Sequence, residues 1–88
     1  MDEGRSGERH ACLCCGYLTL EGRQGSYEIC PVCRWEDDYA TYQDGPNALS
    51  GPNHMSLRQA QRNFAAFGAV LEERCQRARP PLPHERPS

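Results

Sequence analysis

Two C-x2-C pairs constrain this chain more than any other feature. Cys12-Leu13-Cys14-Cys15 runs directly into Gly16, and Cys30-Pro31-Val32-Cys33 follows after fourteen intervening residues. Two residues between cysteines form a tight turn that sets both sulfurs on one side, with turn amides directed at them. Those amides soften the negative charge of several thiolates around one divalent ion. Paired turns at this spacing point to a tetrahedral four-thiolate site made by Cys12, Cys15, Cys30 and Cys33. Gly16 suits the positive φ that such a turn often needs, and Pro31 presets φ in the second turn. Zinc, one ion per chain, is the expected metal because it is redox-inert and favours this geometry.

The length makes such a staple necessary. With 88 residues the chain is one small domain with a marginal apolar core. The opening "MDEGRSGERHA" is polar and lacks the apolar stretch of a signal peptide, and no later run is long and apolar enough for a membrane span. A cytoplasmic chain is therefore expected. There cysteines stay reduced, and paired cysteines point to metal before disulfide. Cys14 is left over. A Cys12–Cys14 pair fits one tetrahedral ion poorly, and a Cys14–Cys15 disulfide is a strained vicinal ring. Cys14 reads as a small residue tolerated at the turn tip, with a reactive thiol acidified by turn amides as the alternative. Cys75 reads as a packing residue in the helical region.

Elsewhere the chain divides into a flexible leader over 1–10, one cysteine-rich domain over 11–83 and a flexible tail over 84–88. Tyr17–Leu20 and Ser26–Ile29 have strand composition, and Glu21–Gly25 supplies glycines for a turn, so a β-hairpin joining these two segments is expected. Residues 39–55 read as loop, with Gly-Pro-Asn at 45–47 and again at 51–53. Ser56 with Gln59 fits a capping box, and Leu57, Ala60, Phe64, Phe67 and Leu71 form one apolar helical stripe. Gly68 predicts a helix end, followed by a shorter helix from about Val70 to Arg77; one continuous helix is the alternative. The fold class is small α+β: a zinc-ribbon-like hairpin with two cysteine knuckles, covered by one or two C-terminal helices. Leu82 is expected to pack back on the domain while its neighbouring prolines hold the tail extended.

Charge is uneven. Residues 21–44 hold two Arg and six acidic residues, whereas 56–88 hold six Arg and three Glu. A net charge of -2 argues against general nucleic-acid binding. Trp35-Glu36-Asp37-Asp38 follows the second knuckle, and Asn53-His54 sits in the turn before the capped helix. Together these six residues make a candidate surface for an unidentified protein partner. The competing reading is internal, with the acids capping helix amides or pairing with Arg58 and Arg62. His10 and His54 are possible replacement ligands, but with four well-spaced cysteines both read as surface or loop residues. Arg79–Pro83 superficially fits a PxxP ligand.

The segments "CLCCGYLTLEGRQGSYEICPVCRWEDD", "GPNHMSLRQAQRNFAAFGA" and "RPPLPHE" resemble those of the small bacterial cysteine-rich CPCC domain family. The resemblance covers nearly all of the chain beyond residue 10. It departs at Leu13, where that family's pattern has Pro, and at Arg34, where an apolar or aromatic residue is expected. The resemblance implies a stand-alone metal-binding domain with no established activity. The chain carries no Ser/His/Asp order and no phosphate loop, so a non-enzymatic protein-interaction module is the expected function. Three rivals stand beside it. Cys15-Gly16-Tyr17 with two C-x2-C pairs is similar to rubredoxin, an iron electron carrier. Arginines on the helix suggest a nucleic-acid contact module. A zinc-dependent hydrolase is disfavoured, since four thiolates leave no position for water. Oligomeric state is not legible from these residues.

Overall fold

A computed structural model of the chain describes residues 9–86. Strand β1, Ser26–Ile29, pairs antiparallel with β2, Glu36–Asp38, and carries the Cys30–Cys33 turn at its tip. The register slips between Ser26↔Asp38 and Ile29↔Glu36, and Tyr27 takes a φ of 66° in the irregular stretch. Such a slip accommodates one extra residue as a bulge. The expected pairing of Tyr17–Leu20 with Ser26–Ile29 does not form. Leu20 instead makes an isolated antiparallel bridge with His10. The reason is local: each cysteine turn folds its own flanks back on each other.

Residues 39–55, expected as loop, hold three further elements: helix α1, Tyr39–Asp44, and the hairpin of β3, Leu49–Ser50, with β4, Met55–Ser56. Helix α1 starts because the Asp38 carboxylate accepts the Ala40 amide at 3.0 Å. The second Gly-Pro-Asn sequence supplies the turn between β3 and β4.

Helix α2 spans Leu57–Phe67. Ser56 Oγ accepts the Gln59 amide at 3.1 Å, as the sequence predicts. The reciprocal half of the box is absent, because the Gln59 side chain turns forward and donates to Asn63 at 2.9 Å. Gly68, at φ 85° and ψ 10°, ends the helix by donating to the Phe64 carbonyl. A left-handed residue here favours glycine. The helix expected from Val70 to Arg77 is replaced by one 3-10 turn, Glu72–Arg74. Val70 N–H donates to the Cys33 carbonyl at 2.9 Å, which draws the chain onto the second cysteine turn.

Leu20, Val32, Trp35, Leu57, Ala60 and Val70 pack around the cysteines as one core. The α2 stripe is only partly core: Leu57 and Ala60 are buried, Phe64 and Leu71 lean on the cluster, and Phe67 is 43% exposed. Contacts α2 makes with the first cysteine turn include Gln61 Nε2 donating to the Leu13 carbonyl at 3.1 Å. No helix among the described residues is long and apolar enough to cross a membrane.

Both expected domain limits shift outward. Arg9 pairs with Glu21 at 3.1 Å, and His10 is bonded into the fold, so the expected leader is docked at its last two residues. Residues 1–8 and 87–88 lie outside the described residues. At the far end Pro83–Glu85 forms a 3-10 turn, and Glu85 is 1% exposed. Its carboxylate accepts Arg79 Nη1 and Nη2 at 2.8 and 2.7 Å and the Leu82 amide at 2.8 Å. Its carbonyl accepts Leu18 N–H at 2.7 Å. Leu82 does not pack back; it is 43% exposed. The tail is held by this buried ion pair.

The Arg79 guanidinium, with help from the Leu82 amide, holds the Glu85 carboxyl down to about 2 against the opposing effect of burial. The unfolded carboxyl titrates near ~4.3. The stabilisation is therefore full above that value and is lost as pH falls toward the folded one. Glu85→Gln is expected to lower unfolding free energy by about 2–3 kcal/mol. In denaturant titrations that deficit should stay flat between about pH 6 and 8, well above both ionisations. A deficit that changes across this interval would remove the ion pair as its cause.

Candidate metal centre

The two cysteine turns share one backbone pattern. Gly16 N–H donates to the Cys12 carbonyl at 2.8 Å and Cys12 N–H to the Tyr17 carbonyl at 3.0 Å. In the second turn Arg34 N–H donates to the Cys30 carbonyl at 2.8 Å and Cys30 N–H to the Trp35 carbonyl at 2.9 Å. Gly16 and Arg34 are thus equivalent positions, and both have positive φ, 82° and 73°. Glycine adopts this conformation without strain; arginine does not.

The turns face each other and bring Cys12, Cys15, Cys30 and Cys33 together, with every sulfur within 4.8 Å of the others. The separation is 3.5 Å between Cys12 and Cys33 and 3.7 Å between Cys15 and Cys30. Cys12, Cys30 and Cys33 are buried and Cys15 is partly exposed. These four residues could hold a metal ion. They are the four that the C-x2-C spacing selects.

Mutual hydrogen bonding divides the thiols. Cys30 and Cys15 lie below the usual thiol range, in both cases chiefly through Cys12, and the Tyr17 amide also favours the Cys15 thiolate. Cys12 and Cys33 are pushed up by neighbouring sulfurs and by burial. Four thiolates this close repel one another, and a cation among them reverses that repulsion. Thr19 Oγ1 lies 3.0 Å from Cys30 Sγ, placed to donate to a thiolate. Nothing in the local sequence marks Thr19 for this role, because its partner is eleven residues away.

Cys14 is buried beside the cluster rather than displayed at a turn tip, and its side chain reaches Cys33. Cys75, expected to pack, is exposed. His10 and His54 are outside the cluster. Trp35 is fully buried against the cysteine turns, and its Nε1 has no hydrogen-bond partner among the described residues.

The expected interaction surface is largely internal. Asp37 is 0% exposed and accepts Tyr42 Oη at 2.7 Å, Gly25 N–H at 2.9 Å and His10 Nε2 at 3.2 Å. Hydrogen bonding to Asp37, after desolvation, raises the Tyr42 phenol above its ordinary range. Asp38 is also buried, and besides capping α1 it accepts Ser50 Oγ at 2.7 Å. Asn53 is buried too. Its Oδ1 accepts Glu36 N–H and its Nδ2 donates to the Glu36 carbonyl, both at 2.9 Å, as a backbone strand would. Trp35, Asp37, Asp38 and Asn53 therefore cannot form a docking edge; Glu36 remains partly exposed and His54 exposed. The internal alternative holds for the acids, though Arg58 is bonded to Asn47 and Arg62 to Gln59 instead of to them.

A small α+β domain with four clustered cysteines is a metal-binding class of architecture. The model of the cysteine-rich CPCC family matches residues 10–85, and the chain belongs to that family. No curated protein matches the sequence. Leu13 in place of the family's Pro leaves the first turn closed, since Gly16 still donates to Cys12.

Cys12→Ser and Cys33→Ser are expected to abolish bound metal in elemental analysis of native protein, while Cys14→Ser and Cys75→Ser keep one equivalent. Metal loss in Cys14→Ser would contradict the four-sulfur assignment. Asp37→Asn combined with Asp38→Asn should cost about 1–3 kcal/mol of stability at unchanged metal content, as buried hydrogen bonds and a helix cap weaken. Unchanged chemical-denaturation curves would return these acids to a surface role.

Proposed function

We propose that the chain is a zinc-stabilised, non-enzymatic protein-interaction module with one structural ion per chain. The sulfur cage carries this reading. A zinc–thiolate bond of about 2.3 Å in a tetrahedron sets sulfurs about 3.8 Å apart. Two separations, 3.5 and 3.7 Å, are close to that figure, and all six lie within 4.8 Å. All four positions are filled by protein sulfur, so a bound ion has no open site for water. This speaks against a hydrolase. The metal's chemistry here is cross-linking: it joins two turns whose flanks carry the rest of the fold. Cytoplasmic location, which keeps the thiols reduced, belongs to the same proposal.

Iron occupies similar thiolate cages, and the electron-carrier rival rests on that. The second turn weighs toward zinc. Arg34 stands where glycine would ease the amide–sulfur bonds of a rubredoxin-like turn. The interaction reading rests on the absence of an open metal position among the four sulfurs and draws only on individually exposed apolar residues such as Tyr27, Tyr39 and Leu49 for contact area. Sequence-independent binding to DNA or RNA is not expected for a chain of net charge -2.

Metal analysis with absorption and emission spectra tests the reading. Natively purified protein should contain one zinc and be colourless. Trp35, the single tryptophan, is buried at the cage, so chelation should shift its emission to longer wavelength as residues 11–38 unfold. Ferric-thiolate bands and reversible one-electron reduction would overturn zinc in favour of the electron carrier. A partner captured by zinc-loaded protein should be lost on chelation.

A further inference from the structure

A cavity of about 230 Å³ opens beside the second cysteine turn, lined by Ile29, Arg34, Glu36, Pro52, Arg74 and Arg77. Three guanidinium groups and one carboxylate give it a formal charge of +2. Among the described residues none of the three arginine side chains has a hydrogen-bond or salt-bridge partner. Arg79, by contrast, is bound to Glu85, Arg58 to Asn47 and Arg9 to Glu21.

Each wall of the cavity is tied to a rigid part of the fold. Arg34 belongs to the cysteine turn, closed by its amide bond to Cys30. Arg74 and Arg77 lie on a segment pinned to that turn at both ends: Val70 N–H donates to the Cys33 carbonyl at 2.9 Å and Arg79 N–H to the Pro31 carbonyl at 3.2 Å. Arg77 N–H donates to the Arg74 carbonyl at 3.0 Å, and residues three apart in such a turn project to one side. Pro52 is held by its neighbour Asn53, whose amide grips both backbone groups of Glu36.

Arg34 is the telling residue. It holds a φ of 73° at the position where the equivalent first turn has Gly16. Metal binding does not need a side chain there, since Gly16 closes its turn with the same hydrogen bond. A bulky residue in the left-handed region is strained, as are Tyr27 and His54 here, and such residues concentrate at functional sites. Arg34 lines the cavity.

We propose that this cavity binds a phosphate monoester as its dianion. The phosphoryl oxygens would be taken by Arg34, Arg74 and Arg77, and the ester group would lie against Ile29 and Pro52. Three guanidinium groups suit a tetrahedral oxyanion with several acceptor oxygens, and a charge of +2 matches a dianion. Glu36 limits the site to ligands that offer a donor beside the phosphate or keep their distance from it. The volume is below that of ordinary drug-sized pockets, about 300–1,000 Å³, and suits one phosphoryl group with a small substituent. The site needs the folded second turn but not a particular metal, so it is separable from the choice of zinc over iron.

The test is an NMR titration of the full, metal-loaded chain with phenyl phosphate, using benzoate at matched ionic strength as the monoanionic control. Saturable shifts confined to the cavity residues, and weaker binding of benzoate, are expected. Arg34→Gly should weaken phenyl phosphate about tenfold or more, and Arg74→Gln with Arg77→Gln likewise. Metal content should be unchanged in both, and Arg34→Gly should be at least as stable as wild type because it relieves the strained φ. Non-saturable shifts, benzoate binding as tightly, or full affinity in both variants would overturn the proposal. An intact metal centre in that case would leave the zinc reading standing.

Discussion

Four sulfurs held within 4.8 Å of one another are the constraint on which the rest of the structure depends. Without a cation the cluster must keep protons that its crowding and hydrogen bonds distribute unequally. With one, repulsion becomes attraction. An apparent contribution of about 10–16 kcal/mol for structural zinc in small peptides is comparable with the whole net stability of a typical domain, about 5–15 kcal/mol. Around the cysteines the fully buried aliphatic and aromatic core is only six residues, a marginal core for a chain of 88. They shield the cage, and the cage fixes where they pack.

Besides core packing, identifiable hydrogen bonds attach several segments to the turns. The first turn takes α2 through Gln61 and Leu13, and a segment next to it takes the C-terminus through Leu18 and Glu85. The second takes the post-helix segment through Val70 and Arg79. No extensive sheet or helix interface joins these parts. Each element is positioned relative to the cysteine cluster more than to its neighbours, which goes with the short strands and the one sizeable helix.

This explains what was legible in the sequence. The four cysteines that come together were, because C-x2-C geometry is local. So were the start and end of α2, set by Ser56 and Gly68 within one turn of the residues they cap. The strand pairing was not: Tyr17–Leu20 has strand composition, yet its partners are decided by how each turn closes. The roles of Asp37 and Asp38 were legible only as the second of two readings. A run of acids reads as solvated surface, and their burial depends on His10, Gly25, Tyr42 and Ser50, which the sequence scatters over forty-one positions, 10 to 50. Glu85 was hidden for the same reason, its partners Arg79 and Leu18 being irrelevant until the tail folds back.

Burial of those acids changes the meaning of the charge pattern. By sequence the cysteine-rich half is acidic, and on that ground it should repel phosphate. In the fold Asp37 and Asp38 are enclosed in hydrogen bonds, and Glu28 accepts the backbone amides of Glu21 and Gly22. The arginine-rich segment 74–79 is then laid against the second cysteine turn. Arg34 from the second cysteine turn and Arg74 and Arg77 from the C-terminal segment converge where linear bookkeeping placed negative groups. Screening confines such fields to about 8–10 Å in physiological salt, so the local arrangement outweighs the net charge. A chain of formal charge -2 can therefore be poor at attracting a nucleic-acid polyanion and still present a small cationic pocket.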